Sequence, residues 1–286
     1  MNSMTPGRQS RLLPTAAALS ALAVITFSSA ALGQQAGQKP GQKPADKAAN
    51  SDWDIRLGGG GLVRPEYEGS DEYKVSALPV LMVNYRDMVF LHGTTLGANA
   101  LTLQGPNPGD KLQVGPLVRY RFGRDQDDSD DLRGMGDIDG AVELGGFISY
   151  STGPGSAGLT LFRDVSDAHD GMTAELSAGH RMQLGPKLML RSEISTTWAD
   201  DNYMQAYYGV TGVQSARSGM RQYQAESGFQ DAGITFDLDY LLTENWSITG
   251  RVGYKRMLGD AADSPLVADL GSEDQFSTGL YITYKF

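Results

Sequence analysis

The chain has 286 residues, of which 40% are hydrophobic and 20% charged, so one folded domain is the default expectation. Its formal charge of −10 excludes the usual nucleic-acid-binding surface, which depends on clustered Lys and Arg side chains. The absence of Cys excludes disulfides, thiolate metal sites and catalytic thiols. The 36 glycines show no collagen period and suit tightly packed, turning strands.

Residues 1–33 are predicted to be a secretory signal peptide. Arg8 and Arg11 precede an apolar stretch from Leu12 to Phe27, and small residues follow as far as Gly33. A membrane anchor is the weaker alternative, because the apolar stretch is shorter than the roughly 20 residues that a spanning helix needs. The signal peptide predicts export from the cytoplasm.

Residues 34–52 are predicted to be a flexible periplasmic tail. This tract repeats the unit GQKP and holds no apolar side chain larger than Ala, so it cannot bury enough surface to offset the entropy of ordering. A docking peptide for a partner is the alternative interpretation of the same tract.

From Trp53 to the end, apolar and polar residues alternate with a period of two. In one predicted strand Leu112, Val118 and Phe122 share an apolar face, while Lys111 and Arg119 share the opposite, polar face. Such strands have one polar, hydrated face and one apolar face. The clearest examples span 111–122, 137–150, 187–198, 231–240 and 245–255.

The connections between these strands alternate between short and long. A soluble sandwich or lipocalin-like barrel would share the alternation, but short turns at one end and longer loops at the other are typical of an outer-membrane barrel. We therefore predict an all-β, antiparallel transmembrane barrel over 53–286, with short periplasmic turns and longer extracellular loops. Loop alternation gives about 12 strands, or 10 if the region 88–104 pairs differently, with a tight outer turn assumed near Thr94 to Gly97. The short turns are 85–87, 105–110, 151–155, 184–186 and 243–245, and the longer loops are 64–73, 124–137, 199–228 and 258–274.

Aromatic residues fall near the ends of the apolar faces, where amphipathic rings favour the membrane interfaces. Two aromatic belts are predicted. The inner belt would contain Trp53, Tyr150, Tyr240, Trp246 and Phe286, and the outer belt Phe122, Trp198, Tyr254 and Phe276.

The last predicted strand alternates to the final residue of the sequence. A strand that ends in a terminal aromatic residue resembles the carboxy-terminal signal read by the barrel assembly machinery of the Gram-negative outer membrane. We therefore expect the cell outer membrane as the location and its lipids as the surroundings. The predicted assembly signal consists of Phe276, Leu280, Ile282, Tyr284 and Phe286.

Three separated motifs carry a family resemblance. GGGLVRPEYEGSDEYKVSALPVL (59–81), TTWADDNYMQAYYGVTGVQSARSG (196–219) and GDAADSPLV (259–267) resemble the MipA/OmpV family of outer-membrane proteins. The resemblance implies a non-enzymatic scaffold that interacts with a membrane-bound lytic transglycosylase and a bifunctional penicillin-binding protein. Other members are linked to adhesion, osmotic response and antibiotic sensitivity, so a small-solute channel or a surface adhesin is the alternative. The family supplies no catalytic residues.

An outer-membrane lipid-modifying enzyme is the least favoured alternative. Ser166, Asp167 and His169 lie close together in one predicted outer loop, but sequence neighbours do not make a triad, and a solvated loop is the simpler interpretation. No G-x-S-x-G or H-E-x-x-H occurs. Gly58 to Gly61 predicts a crowded strand rather than a phosphate cradle, and the acidic stretch 125–131 lacks the ligand order of a calcium loop. We predict no enzyme activity, cofactor, metal site or nucleic-acid partner.

The polar faces of the strands carry charges of both signs into the predicted lumen. Charged side chains inside a barrel must be paired with opposite charges or hydrated. The lumen is therefore either filled by ion pairs or open as a narrow, water-filled pore. Antiparallel neighbours favour pairing, for instance of Arg119 and Arg121 with Glu143. The predicted lumen charges are Arg56, Arg119, Arg121, Glu143, Glu175, Arg181, Arg191, Glu193, Asp237, Asp239, Arg251 and Lys255.

Deletion of Phe286 tests the predicted assembly signal. Loss of the terminal aromatic residue should reduce the amount of folded protein in the outer membrane, measured as the fraction that shifts on gels after heating. If the shortened chain accumulates in the outer membrane and is heat-modifiable to the wild-type extent, the role assigned to this terminus is wrong.

Overall fold

The computed structural model describes residues 52–286. The predicted signal peptide, and the predicted tail except for Asp52, lie outside the described residues, so both stay predictions. Within residues 52–286, no helix is both long and apolar enough to span a membrane.

Thirteen strands run through the described part of the chain, each antiparallel to its neighbours. Their bounds are β1 (Trp53–Pro65), β2 (Tyr73–Tyr85), β3 (Val89–His92), β4 (Thr95–Ala98), β5 (Leu101–Gln104), β6 (Lys111–Arg121), β7 (Ala141–Thr152), β8 (Gly155–Asp164), β9 (Met172–Gly185), β10 (Leu188–Ala199), β11 (Gly228–Leu241), β12 (Trp246–Met257) and β13 (Asp274–Lys285).

The sheet closes into a barrel. The first strand β1 pairs with the last strand β13, and β4 pairs with β6. Strands β4 and β5 both lie against β6, at Thr95–Gly97 and Leu101–Gln104, so together they fill one position in the wall. The described chain therefore forms a closed barrel of twelve strand positions, and the predicted fold class and strand count are confirmed.

The predicted turn near Thr94 to Gly97 is shifted. Strand β3 ends at His92 and β4 begins at Thr95, so the turn lies at Gly93 and Thr94. Gly93 adopts φ +57, a left-handed conformation that glycine tolerates at little cost. Of the two glycines in this stretch, Gly93 adopts the left-handed conformation at the turn, whereas Gly97 lies within strand β4.

The pleat separates an apolar outer surface from a mostly polar interior. Along β13, Phe276 and Leu280 are more than half exposed, whereas Tyr281 and Thr283 are buried. Rings cluster at both ends of the outer surface, where Trp53 contacts Tyr85 and Trp246 contacts Tyr284 at one end, and Tyr254 contacts Phe276 at the other. This distribution is typical of a barrel whose outer surface faces lipid.

The longer connections fold into short helices at the extracellular end. These are α1 (Asp201–Tyr208), α2 (Gly212–Ser218), α3 (Gly259–Ala262) and α4 (Pro265–Ala268), with two single-turn 3-10 helices at Gln126–Asp128 and Asp130–Leu132. The sequence prediction treated these stretches as polar loops. Their buried side chains instead form cores between the helices and the ends of the strands, including Met204, Met257, Leu132 and Leu266.

Helix α1 begins where the Asp200 side chain accepts a hydrogen bond from the Tyr203 backbone N–H (3.0 Å). Tyr203 and Tyr207 are four residues apart and stack with a centroid separation of 4.4 Å. Met204 and Tyr208 repeat this spacing, and both are fully buried. An apolar pattern of only two turns therefore packs α1 into a buried core at the outer ends of the strands, and we call α1 with this core the lid.

Close packing of β1 against β13 depends on glycine. A Cβ added at Gly60 would lie 2.0 Å from the Leu280 carbonyl oxygen and 2.6 Å from the Tyr281 Cα atom. A Cβ at Gly58 would lie 2.1 Å from the Ile282 carbonyl oxygen. Gly61, by contrast, has no atom within 4 Å of such a Cβ. The prediction of a crowded first strand agrees with this geometry.

Gly60→Ala should destabilise the barrel, because the added methyl meets backbone that cannot move without disrupting the β1–β13 pairing. We expect a loss of about 1–3 kcal/mol in the free energy of unfolding, as for other overpacked sites, measured by urea denaturation in detergent. Gly61→Ala is the matched control and should be nearly neutral. Equal stability of the two variants would show that the contact at Gly60 does not constrain the wall.

Candidate functional site

The register places all twelve predicted lumen charges on inward positions of their strands. Arg119 lies opposite Glu143, Arg191 opposite both Arg181 and Asp237, and Arg251 opposite Asp237. Glu175, Arg181 and Glu193 line the β9–β10 side of the lumen and are half-buried. Near the inner rim, the Arg56 Nε atom donates a hydrogen bond to Asp54 Oδ1 at 3.0 Å. The other lumen charges form three groups.

The first group links β6 and β7 through Glu143. Arg119 Nε donates to one Glu143 oxygen at 2.5 Å, and Arg121 Nε donates to the other at 2.9 Å. The Arg119 and Glu143 side chains are 7% and 1% exposed. The Arg119 guanidinium carbon also lies 3.7 Å from the centroid of the Phe162 ring. The two arginine side chains thus share one buried carboxylate, and loss of that carboxylate would leave buried positive charge without its partner.

His169 joins this group from the loop between β8 and β9. Its Nε2 atom lies 3.3 Å from Glu143 Oε1, and its side chain is fully buried. Its Nδ1 atom accepts a hydrogen bond from the Gly171 N–H at 3.1 Å. The ring packs edge-on against Tyr203 of α1, with a centroid separation of 5.2 Å. The expectation of a solvated loop is therefore wrong at His169, which ties the outer loop to the lumen.

The loop around Ser166 does not form a catalytic triad. The Ser166 hydroxyl donates to Asp164 Oδ1 at 2.8 Å, and the backbone N–H groups of Ala168 and His169 donate to Asp164 Oδ2 at 2.7 Å. The Asp164 carboxylate organises the turn, whereas His169 points to Glu143. A serine nucleophile needs an adjacent base, and Ser166 faces an acceptor instead.

The second group lies nearer the inner rim, on β10, β11 and β12. Arg251 donates to both oxygens of Asp237 at 2.6 and 2.7 Å, and Arg191 donates to both oxygens of Asp239 at 2.7 and 3.0 Å. The Thr249 hydroxyl adds a third hydrogen bond to Asp239 at 2.6 Å. Bidentate hydrogen bonds between arginine and a carboxylate are stronger and more directional than single hydrogen bonds.

The third group connects the strands to the outer loops through Glu68. Its Oε2 atom accepts from the Tyr208 hydroxyl at 3.1 Å, and its Oε1 atom lies 3.7 Å from Lys255 Nζ. Lys255 Nζ also lies 3.2 Å from Asp231, whose side chain is 2% exposed. Partial burial acts to raise the pKa of Glu68, whose side chain is 43% exposed, but Lys255, Arg121 and the Tyr208 hydroxyl together lower this pKa. The carboxylate therefore stays charged and holds the β1–β2 loop against α1.

The acidic stretch 125–131 folds around its own backbone. The Asp125 carboxylate accepts from the Asp127 N–H at 2.8 Å and caps the first 3-10 helix. Asp128 lies 3.3 Å from Lys74 on β2. Across residues 52–286, no group of three or more His, Cys, Asp or Glu side chains is placed to hold a metal ion.

Sequence reasoning missed four residues that join the lumen to the lid, namely Glu68, His169, Tyr208 and Asp231. Asp231 shares the inward parity of Asp237 and Asp239, so the strand pattern could have indicated it. The other three lie in the segments between strands, where a period-two pattern does not indicate which way a side chain points. The whole arrangement neutralises buried charge and fixes the lid, and it brings no nucleophile, base and oxyanion donor together.

A closed antiparallel barrel with an apolar outer surface, two aromatic belts and an interior of paired charges is an outer-membrane β-barrel. Residues 57–286 match the family described as MltA-interacting protein MipA. The chain therefore belongs to the MipA/OmpV family of outer-membrane proteins, and the resemblance seen in its motifs is confirmed.

Relatives match along most of their length. The MltA-interacting protein of Escherichia coli strain K12 is 28% identical over 241 residues, which cover 83% of this chain and 92% of that protein. Outer membrane protein OmpV of Vibrio cholerae is 26% identical over 63% of this chain and 68% of its own length. Among solved structures, OmpT of Vibrio cholerae aligns with 82% of this chain and 97% of its own, at 8% identity and a TM-score of 0.36.

Glu143→Gln should strongly destabilise the barrel, because it leaves Arg119 buried without its paired carboxylate and removes one of the carboxylates near Arg121. Removing one partner of a buried ion pair costs about 3–5 kcal/mol in the free energy of unfolding. Glu273→Gln is the matched control, since Glu273 pairs with Arg256 at an exposed position, where such a pair contributes about 1 kcal/mol or less. Urea denaturation of both variants measures the difference, and similar losses would contradict the buried role of Glu143.

Proposed function

We propose that the protein is a non-enzymatic scaffold of the outer membrane that binds murein-synthesising and murein-hydrolysing enzymes at its periplasmic side. The observation that carries this proposal is the match to nearly the whole length of an Escherichia coli protein named for its interaction with MltA. The partners that the family resemblance implies are a lytic transglycosylase and a bifunctional penicillin-binding protein.

The two ends of the barrel differ in their connections, and this difference supports a binding role at the inner end. The outer end is occupied by its own helices and loops, which pack into buried cores. The inner end carries short turns with exposed ion pairs, such as Arg86 with Asp52 (2.6 Å) and Lys285 with Asp54 (2.8 Å). A polar, charged surface of this kind suits a reversible contact with a periplasmic protein.

The short turns offer little docking area. A standard interface buries about 800 Å² on each partner, far more than turns of a few residues supply. The predicted tail, residues 34–52, precedes β1 at the same inner rim and carries three Lys and two Asp residues. We infer that the tail supplies the additional contact with the murein enzymes.

Removing residues 34–52 behind an intact signal peptide should reduce recovery of the murein enzymes when the protein is purified from membranes. The matched control replaces the tail with a Gly/Ser segment of equal length, which keeps the spacing and removes the side chains. Heat-modifiability on gels should be unchanged in both variants. Equal recovery of murein enzymes from all three proteins would remove the tail from the mechanism, and recovery from none of them would argue against the scaffold function.

A small-solute channel is the second candidate. Nine of the twelve predicted lumen charges, among them Glu175, Arg181 and Glu193, are half-buried rather than buried, so the lumen is not tightly filled throughout. Arg119, Glu143 and Asp237, on other strands, are each less than 10% exposed. Arg119 pairs with Glu143 and Arg251 pairs with Asp237, and these ion pairs, rather than close packing throughout the interior, favour the scaffold.

A further inference from the structure

Residues 164–171 span the connection between β8 and β9 and join the wall to the lid, and we call this segment the strap. On one side it contacts β7, where the Val142 backbone N–H donates to the Ser166 hydroxyl at 2.9 Å. On the other side it contacts α1, where Asn202 Nδ2 donates to the Asp170 carbonyl at 3.2 Å. The strap therefore fixes the position of α1 relative to the wall.

The backbone of the strap adopts a conformation that costs free energy. Asp167 and Asp170 have φ angles of +58 and +54, in the left-handed region that residues other than glycine adopt at a cost. The Asp164 carboxylate holds the strap in this form by accepting hydrogen bonds from four of its backbone N–H groups. Strained backbone of this kind persists only while the surrounding contacts hold it.

The ring of His169 supplies one of these contacts, and its protonation state follows from the geometry. A Cβ added at Gly171 would lie 2.5 Å from the Tyr203 backbone N, so Gly171 is fixed against the start of α1. The Gly171 N–H donates to His169 Nδ1 at 3.1 Å, which makes Nδ1 an acceptor. The ring is therefore neutral, with its proton on Nε2, which lies 3.3 Å from Glu143 Oε1.

A second proton on His169 has no acceptor in this pocket. It would bind to Nδ1, where it would face the Gly171 N–H group, one donor against another. The Nε2 side gains no new contact, because Nε2 already carries a proton in the neutral ring. Histidine is the side chain that changes charge between pH 5 and 8, so mild acidification is enough to add this proton.

The charges around the ring also oppose a second proton. Glu143, the carboxylate paired with the ring, already accepts hydrogen bonds from Arg119 and Arg121, so a protonated His169 would be a third positive group on one carboxylate. The groups that surround the ring are Arg119 and Arg121 on β6, Glu143 on β7, Tyr203 and Tyr207 on α1, and Asp164 with the exposed Asp167 and Asp170 in the strap itself.

The other two histidines of the chain are placed differently. His92 lies on β3, where its Nε2 atom is 3.0 Å from Asn84 Oδ1, and His180 is exposed on β9. The second group of lumen charges, on β10, β11 and β12, contains no histidine. A change at His169 therefore affects the strap and the lid, and it leaves that group of lumen charges in place.

We propose that His169 makes the lid pH-sensitive: the neutral ring holds the strap and α1 against the wall, and protonation in an acidic medium releases both. The neutral ring satisfies Gly171 and Glu143 together, whereas the protonated ring loses its contact with Gly171. Release uncovers the buried side chains of α1, including Tyr203 and Tyr208, at the cell surface. This inference concerns the outer end of the barrel and is independent of the proposed binding of murein enzymes at the inner end.

The test is hydrogen–deuterium exchange of the mature protein in nanodiscs at pH 7.5 and pH 5.0, with labelling times scaled to the intrinsic exchange rates. Peptides that cover 164–171 and 201–208 should lose protection about tenfold at pH 5.0, as expected when one buried hydrogen bond is broken. Peptides from the wall, such as those of β10, should stay protected at both pH values. Return to pH 7.5 should restore the protection of the strap and of α1.

His169→Gln removes the titrating group and keeps its hydrogen bonding, because the Gln side chain supplies one acceptor and one donor without a charge. Its α1 peptides should be equally protected at pH 7.5 and pH 5.0. His180→Gln is the matched control and should lose protection in acid like the wild type. Heat-modifiability verifies that each variant is folded.

A second measurement does not depend on a substitution at position 169. The double variant His92→Gln/His180→Gln leaves His169 as the single histidine, so a ¹³C-histidine NMR signal reports its protonation directly. Protonation and the loss of α1 protection should have the same midpoint. Four results would each overturn the proposal: wild-type protection of α1 that is independent of pH, an undiminished loss of protection in His169→Gln, protonation of His169 without loss of α1 protection, or equal loss of protection throughout the wall at pH 5.0.

Discussion

The structure depends on one constraint, which is that neither a backbone N–H group nor a side-chain charge can be left without a partner inside a membrane. The backbone meets this constraint by closing into a barrel, with β1 against β13 and β4 against β6. The side chains meet it mostly by alternation, because the exposed apolar residues share one side of each strand and the lumen charges lie on the other side. Charges of opposite sign then lie opposite each other on adjacent strands, as Arg119 does with Glu143.

The lid depends on the same charges. Glu143 contacts two arginines of the wall and His169 of an outer loop, and His169 packs on Tyr203 of α1. Glu68 contacts Tyr208 of α1 and Lys255 of β12. Each carboxylate therefore compensates charge in the wall and also holds an outer segment in place. Wall and lid consequently form one unit, which suits a rigid scaffold better than a pore with a mobile gate.

The sequence predicted the wall well and the lid poorly, for physical reasons. Period-two alternation is a strong signal in strands with one apolar face, so the strand count and the inward parity of Arg191 and Asp237 could be read directly. Tyr203 and Tyr207 of α1 are only four residues apart, too short a pattern to separate a buried helix from a polar loop. The burial of His169 depends on Glu143, a contact between residues 26 positions apart that no local pattern reports. The β3–β4 hairpin is short, and its length and pairing appear only in the register.

The most direct measurement is the conductance of the purified wild-type protein in a planar lipid bilayer. If the paired charges and the lid close the lumen, the wild-type barrel should show no steady channel steps. Combined Glu143→Gln and Glu175→Gln substitutions should then raise anion leakage, because they leave arginines of the lumen without counter-charges. A wild-type barrel that conducts freely, with a conductance indifferent to these substitutions, would contradict the closed interior and make the channel the better description of the protein.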